Sequence, residues 1–304
     1  MLMSCGPSAK DLVLEGDKKK AAHDFAGALA DYSAAIVARP TLYQAWHNRG
    51  ECQMNLGAYD LALKDFNESL KLKSDFALSR YNTGICFLKL KKYPEALQCI
   101  EKACKADTSI HGSIALANCY FYSGKNQLAI HYFSESLVQM PDSAGIYLGR
   151  GLAYYQLGNI SASKNDLSTY LKNGGLNPVV FRQLGLVYLR SGSSSTLLDS
   201  SITFFEQYKS KGITLDAEAS KAIILAYIER GKIKMSVEKE VEAMADFSKV
   251  IELDPSNAEA YYQRGKIMVS LGQSADGCVD LQNALKNGNT NAKKLIAIYC
   301  GDVL

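Results

Sequence analysis

The chain has 304 residues, of which 47% are apolar and 21% charged, with a net charge of +3. Such a composition supports a sizeable folded core and excludes global disorder, while the balanced charge provides no basic stripe of the kind nucleic-acid proteins carry. No run of about 18 apolar residues occurs, which excludes a spanning helix, and the few prolines and turn dipeptides argue against a sandwich of short strands.

A short string recurs along the chain: an aromatic residue, two variable residues, then Arg-Gly. It stands at Trp46/Arg49/Gly50, Tyr147/Arg150/Gly151, Tyr227/Arg230/Gly231 and Tyr261/Arg264/Gly265. Weaker copies complete a column at Gly16, Gly50, Gly84, Ala117, Gly151, Gly185, Gly231 and Gly265, mostly 34 residues apart. A second small column follows at Ala28, Ala62, Ala96, Ala129, Ser163, Ser201, Ala243 and Gly277. Four residues beyond each stands a large apolar residue, as at Tyr32, Phe66 and Phe247.

Taken in order, residues 9–42 with Leu12, Leu14 and the basic run Lys18-Lys19-Lys20 read as a first unit that also caps the array. Residues 43–76 are the clearest unit. Trp46, Arg49, Gly50 and Gln53 share one helical face, Leu56-Gly57 ends that helix, and Tyr59, Ala62, Leu63, Phe66 and Leu70 form the apolar stripe of a second. Further units follow at 77–109, 110–143, 144–177, 178–215, 216–257 and 258–291. Insertions near Ser193–Thr196 and between Tyr208 and Leu225 predict a loop over Ser191–Ser195 and a first helix lengthened by about two turns from Asp216. Residues 292–304 read as a capping helix.

The period, the two small columns and the aromatic positions together resemble the tetratricopeptide repeat (TPR). The resemblance covers residues 9–291 and implies an all-α solenoid of about eight helix hairpins with a C-terminal capping helix. One hairpin cannot bury its own apolar stripe; stacked neighbours bury it. The family binds protein segments along the inner face of its first helices. Here that face is predicted to display His47, Asn48, Glu51, Met54 and Asn55 in the second unit, then Leu78, Tyr81, Asn82, Ile85 and Lys89, then Phe121 and Tyr122. Tyr155, Arg182, Arg190, Lys232, Tyr262 and Lys266 continue it. A peptide with apolar anchors and an acidic end would match the aromatic middle and the basic C-terminal part; the alternative is that these are ordinary solvated or packing residues. Some family members clamp chaperone C-termini with Lys, Asn and Arg. Asn48 and Asn82 match the asparagine type, but His47 or Val13 stands where the first lysine is expected, which counts against a chaperone clamp.

Eight cysteines are present. Cys52, Cys86 and Cys119 fall in a column where a small buried residue is expected. No Cys-x-x-Cys occurs and His23, His47, His111 and His131 are scattered, so no metal site is expected. Cys278 and Cys300 lie equally far from the turn at Gly288-Asn289, so a disulfide between them and a pair of free thiols are both open. Cys278-Val-Asp280 and Tyr299-Cys300 also resemble the end of bacterial TPR proteins of the Bacteroidetes type. The start, Leu2-Met3-Ser4-Cys5-Gly6, resembles a bacterial lipoprotein box, which implies residues 1–8 as a tether lipidated at Cys5.

No phosphate loop, nucleophile elbow or His-Glu-x-x-His occurs. The expectation is a non-catalytic scaffold without a cofactor, binding a protein or peptide and no nucleic acid, at the bacterial envelope as a lipid-anchored or periplasmic protein. The alternative is a cytoplasmic adaptor or regulator of a chaperone or secretion complex.

Overall fold

The computed structural model describes residues 7–106 and 110–301. The chain divides into two compact units, Met1–Leu157 and Gly158–Leu304. The first contains α1 (Ala9–Ala21), α2 (Phe25–Ala38), α3 (Tyr43–Asn55), α4 (Tyr59–Leu72), α5 (Ala77–Lys89), α6 (Tyr93–Cys104), α7 (Ile110–Tyr122), α8 (Asn126–Gln139) and α9 (Ala144–Gln156). The second contains α10 (Ile160–Lys172), α11 (Val179–Arg190), α12 (Ser195–Ser210), α13 (Ala217–Ser236), α14 (Glu240–Leu253), α15 (Ala258–Ser270), α16 (Ser274–Lys286) and α17 (Ala292–Tyr299). Among the described residues there is no strand, and seventeen helices are what eight hairpins and one terminal helix require.

Small residues set the spacing inside each hairpin. A Cβ on Gly50 would fall 2.8 Å from the Phe66 ring, and one on Gly231 would fall 2.8 Å from Phe247. The missing side chain therefore lets the ring lie flat against the first helix, and both rings are fully buried. Burying each contributes about 2–3 kcal/mol relative to leaving it exposed. The turn that follows demands a positive φ, which Gly57 supplies at +79°. The same turn position holds His23, Lys91 and Glu238 at φ near +60° in other hairpins. An L side chain in that conformation costs roughly 1–2 kcal/mol, so packing on either side holds those turns in place.

The recurring Arg is the link between hairpins. Arg49 donates to both oxygens of Asp65 on its own second helix (2.7 and 2.8 Å) and to Ser33 Oγ on the preceding one (3.1 Å). Arg264 repeats this with Asp280 and Ser248, and Arg230 with Asp246 and Asp199. Each guanidinium also lies over the aromatic ring three residues before it: Trp46, Tyr227 and Tyr261. Asp65, Asp246 and Asp280 are buried, so removing one partner leaves a buried charge, which costs about 3–5 kcal/mol in such pairs.

In the first unit each first helix also touches the next first helix, from α1 to α9. These helices form one layer, and the second helices α2, α4, α6 and α8 form the other. In the second unit α13 is a 20-residue helix, longer than α11 or α15, and Asp216 caps it by accepting from Ala219 N at 2.8 Å. Residues 191–194 form the loop before α12. A disulfide joins Cys278 of α16 to Cys300 just beyond α17. It closes an apolar cluster of Val269, Leu281, Ala284 and Ala292, with Tyr261, Tyr262 and Leu295 packed on its edge.

Candidate functional site

A cleft of about 590 Å³ opens on the first-helix layer of the first unit. Glu51 and Met54 of α3, Leu78, Tyr81, Asn82 and Ile85 of α5, Ala103 and Cys104 of α6, and Gly112 of α7 line it. Most of the wall is apolar, and Leu78 at the mouth is 52% exposed. Burial pushes the Tyr81 phenol up to about 12, so it is a neutral wall at any ordinary pH.

Glu51 is the one charged residue of the lining. Its Oε2 accepts from Lys20 Nζ of α1 at 2.8 Å, and its Oε1 accepts from Asn82 Nδ2 at 3.2 Å. His47 Nε2 lies 3.4 Å from Oε1. Burial works against the carboxylate, but the bonds from His47 and Lys20 outweigh it and hold Glu51 down at about 2. One turn earlier on α1, Asp17 Oδ1 accepts from Tyr32 Oη at 2.6 Å and from Asn48 Nδ2 at 2.9 Å.

Behind Glu51, His47 Nδ1 meets Ser79 Oγ at 2.9 Å, and Ser79 Oγ donates to Ser69 Oγ. Hydroxyl, imidazole and carboxylate thus stand in a row. Ser79 is fully buried, however, so no substrate atom reaches it, and the row holds α3, α4 and α5 together.

The residues predicted for the inner face divide into four groups. Glu51 and Tyr81 line the cleft; Asn48 lies half-buried against Asp17; Asn55, Lys89 and Tyr122 are exposed. Tyr122 stacks on Tyr93 at 5.3 Å. Three others are buried rather than open. His47 is covered by Phe66 and Phe76, which approach its ring to 5.6 and 4.9 Å, Asn82 is buried against Glu51, and Tyr155 is 8% exposed.

In the second unit, Arg182 is paired within its own chain. It donates to Asp216 (2.7 and 3.1 Å) and Glu218 (2.7 Å) at the start of α13. Burial disfavours its charge, but these two carboxylates raise its pKa all the same. Lys232 lies 3.3 Å from Glu229 and 3.6 Å from Glu259. Arg190 and Lys266 are exposed, and Tyr262 packs on the cluster closed by α17. Cys5 lies outside the described residues. Cys52, Cys86 and Cys119 are free, buried thiols that burial pushes up to about 11, 12 and 12. Asp17 and Lys20 were missed by the sequence reading, although they stand one 34-residue period before Glu51 and Met54.

Tetratricopeptide-repeat models match residues 43–76 and 114–163, and a TPR model matches 225–272. The chain is a tetratricopeptide-repeat protein. Over 108 residues it is 34% identical to the human DnaJ homolog subfamily C member 3, covering 34% of this chain and 21% of that relative. It is 24% identical over 174 residues to a tetratricopeptide repeat and J domain-containing co-chaperone of Cryptococcus neoformans, covering 53% of this chain and 33% of the relative. The TPR chain thus spans a fifth to a third of these two curated relatives. Among solved structures, the C-terminal part of a TPR repeat-containing protein of Cytophaga hutchinsonii is 16% identical with a TM-score of 0.59, covering 83% of this chain and 98% of that one. PilW, described as a widely conserved type IV pilus biogenesis factor, is 18% identical with a TM-score of 0.57, covering 67% of this chain and 93% of that one. Both show likeness of fold alone. The TPR array makes this chain a protein-interaction scaffold or adaptor. Among the described residues no helix is long and apolar enough to cross a membrane.

Proposed function

We propose that the first unit is a docking module. A partner segment lies along the first-helix layer and places apolar side chains in the cleft between α3, α5 and α7. The cleft itself carries this reading: it is an open, mostly apolar cavity with a half-exposed leucine at its mouth. Glu51, Tyr81, Asn55 and Tyr122 are the predicted face residues that support it in this unit; in the second unit Lys266 is an exposed further contact. His47, Asn82 and Tyr155 act from beneath as supports.

Replacing Leu78 or Ile85 by Glu puts a charge into the cleft and is expected to abolish capture of peptides selected on the wild-type chain. Val37→Glu, at an 82%-exposed position on α2, is expected to leave capture intact. Equal capture by all three variants, measured by titration calorimetry, would remove the cleft from the function.

The Cys278–Cys300 bridge supports an oxidising compartment, and with it the bacterial envelope, since such bonds persist outside the reducing cytosol. Similarity to a J domain-containing co-chaperone supports the second reading, an adaptor of a chaperone complex. Mass spectrometry of alkylated, unreduced protein from its native cells separates them. An intact bridge in an envelope fraction is expected, whereas free Cys278 and Cys300 in a cytosolic fraction would favour the adaptor.

A further inference from the structure

We propose that the turn edge of the third hairpin (α5, α6) and the fourth (α7, α8) is a surface that settles on an anionic membrane, with its lysines on the headgroups and its leucines in the interfacial layer. The cleft is lined mainly from the far ends of these helices, at Leu78, Cys104 and Gly112. The inference therefore does not rest on the docking role given above.

Two turns meet at this edge. Tyr93, at the start of α6, stacks on Tyr122, at the end of α7, with ring centroids 5.3 Å apart. The stack sets the turn at residues 90–92 beside the turn at 123–125. Lys89, Lys91, Lys92 and Lys125 are exposed, and none has an ion-pair partner among the described residues. Lys125 Nζ lies 5.9 Å from the centre of the Tyr120 ring, a contact that leaves its charge unneutralised. In the first hairpin, by contrast, Lys18, Lys19 and Lys20 are all taken up by carboxylates. The acidic groups here are Glu95, beside the lysines, and Asp60 on the neighbouring turn of the second hairpin. Four ammonium groups against two carboxylates leave the edge positive.

Lys91 stands there at a cost. Gly57 and Gly124 fill the same turn position on either side, with φ of +79° and +74°, whereas Lys91 adopts +60°. Glycine would remove that strain, so the lysine side chain is explained by what it meets outside the fold.

Beside the lysines the edge is apolar. Leu128 and Leu157, 44% and 46% exposed, line an open hollow of about 350 Å³ together with Lys125. Leu56 and Leu61 of the second hairpin continue the line, each about half exposed. These leucines stand on successive turns rather than in one groove, an arrangement that suits a partner able to conform to it. A bilayer interface supplies both halves: anionic headgroups for lysines on flexible stems, and an apolar boundary for leucine and tyrosine. A nucleic acid would answer the charge but give the four leucines no apolar layer.

The test is sedimentation of the whole chain with vesicles of phosphatidylcholine alone and with added phosphatidylserine. The chain is expected to bind the phosphatidylserine vesicles about tenfold more tightly and to lose that preference as salt is raised. Lys91→Gly combined with Lys92→Gln is expected to lower vesicle affinity about tenfold. The same variant should show a raised Tm, because glycine relieves the turn, so a misfolded chain does not account for the loss. Leu128→Gln should weaken binding about threefold, and Lys64→Gln, at an exposed position of α4, should leave it unchanged. Equal binding to both kinds of vesicle, or full affinity in the Lys91 and Lys92 variant, overturns the proposal. So does tighter binding of a glutamate-rich peptide through the same lysines, which would make the partner an acidic protein segment.

Discussion

In the first unit the cleft wall is mostly apolar and its one charged residue, Glu51, is paired with Lys20, whereas in the second unit several charges of that face, Arg182, Lys232 and Glu259, are taken up by partners of their own chain. The helices are of one kind, so the contrast is in side chains alone. Where the inner face is apolar it carries an open cleft. Where it is charged, neighbouring hairpins neutralise one another and the face supports the array itself. Charge on a repeat surface is thus no guide to binding until the partners within the chain are known.

The largest expected effect lies in the second unit. Cys278→Ser removes a bridge that closes a loop across 22 positions, and should cost about 3 kcal/mol there. The single tryptophan, Trp46, stands in the first unit, so its fluorescence transition should stay put while far-UV circular dichroism shows an earlier one. A shift of both signals together would mean that the two units unfold as one.

Acid sharpens the comparison from the other side. Glu51 is held at about 2 in the folded chain against its ordinary 4.5. Its contribution is therefore complete above about pH 4.5 and is lost as pH falls toward 2. It amounts to about 2 kcal/mol once partial exposure is allowed for. Trp46 fluorescence should report a loss of stability through that window in the wild type and a flatter profile in Glu51→Gln. Identical profiles would show that the Lys20–Glu51–His47 contacts do not support this unit.

The smallest effect belongs to Arg182→Gln. Asp216 and Glu218 are about half exposed, so the change should cost no more than about 1 kcal/mol. It should appear as faster hydrogen exchange in the first turn of α13. Unchanged exchange with lost peptide binding would instead return Arg182 to the role of an anion clamp.

The small columns and the Leu56-Gly57 turn were legible in the sequence because they act within one hairpin. Gly50 faces Phe66 only sixteen residues away, and the same spacing recurs at Gly231 and Phe247. The Asp members of the arginine clamps were not legible. Nothing in the sequence sets Asp65 and Asp280 apart from other acidic residues, and only the approach of two helices shows that each is buried. His47 was placed on the open face by its phase. Phe76, standing just before α5, folds over it, a contact set by the next hairpin rather than by its own. Arg182 met Asp216 because the inserted stretch brings the start of α13 beside α11, a consequence that no count of residues within α11 could supply.

The bond between Cys278 and Cys300 also bears on how such a chain can change its length. A further hairpin added after residue 301 would need the surface that α17 covers, and α17 is covalently held there. The hairpins of Gly50 and Gly231, by contrast, each carry a glycine, a ring and an arginine that joins them to the one before. A hairpin of that kind can be duplicated within the array while α17 keeps its bridge to α16.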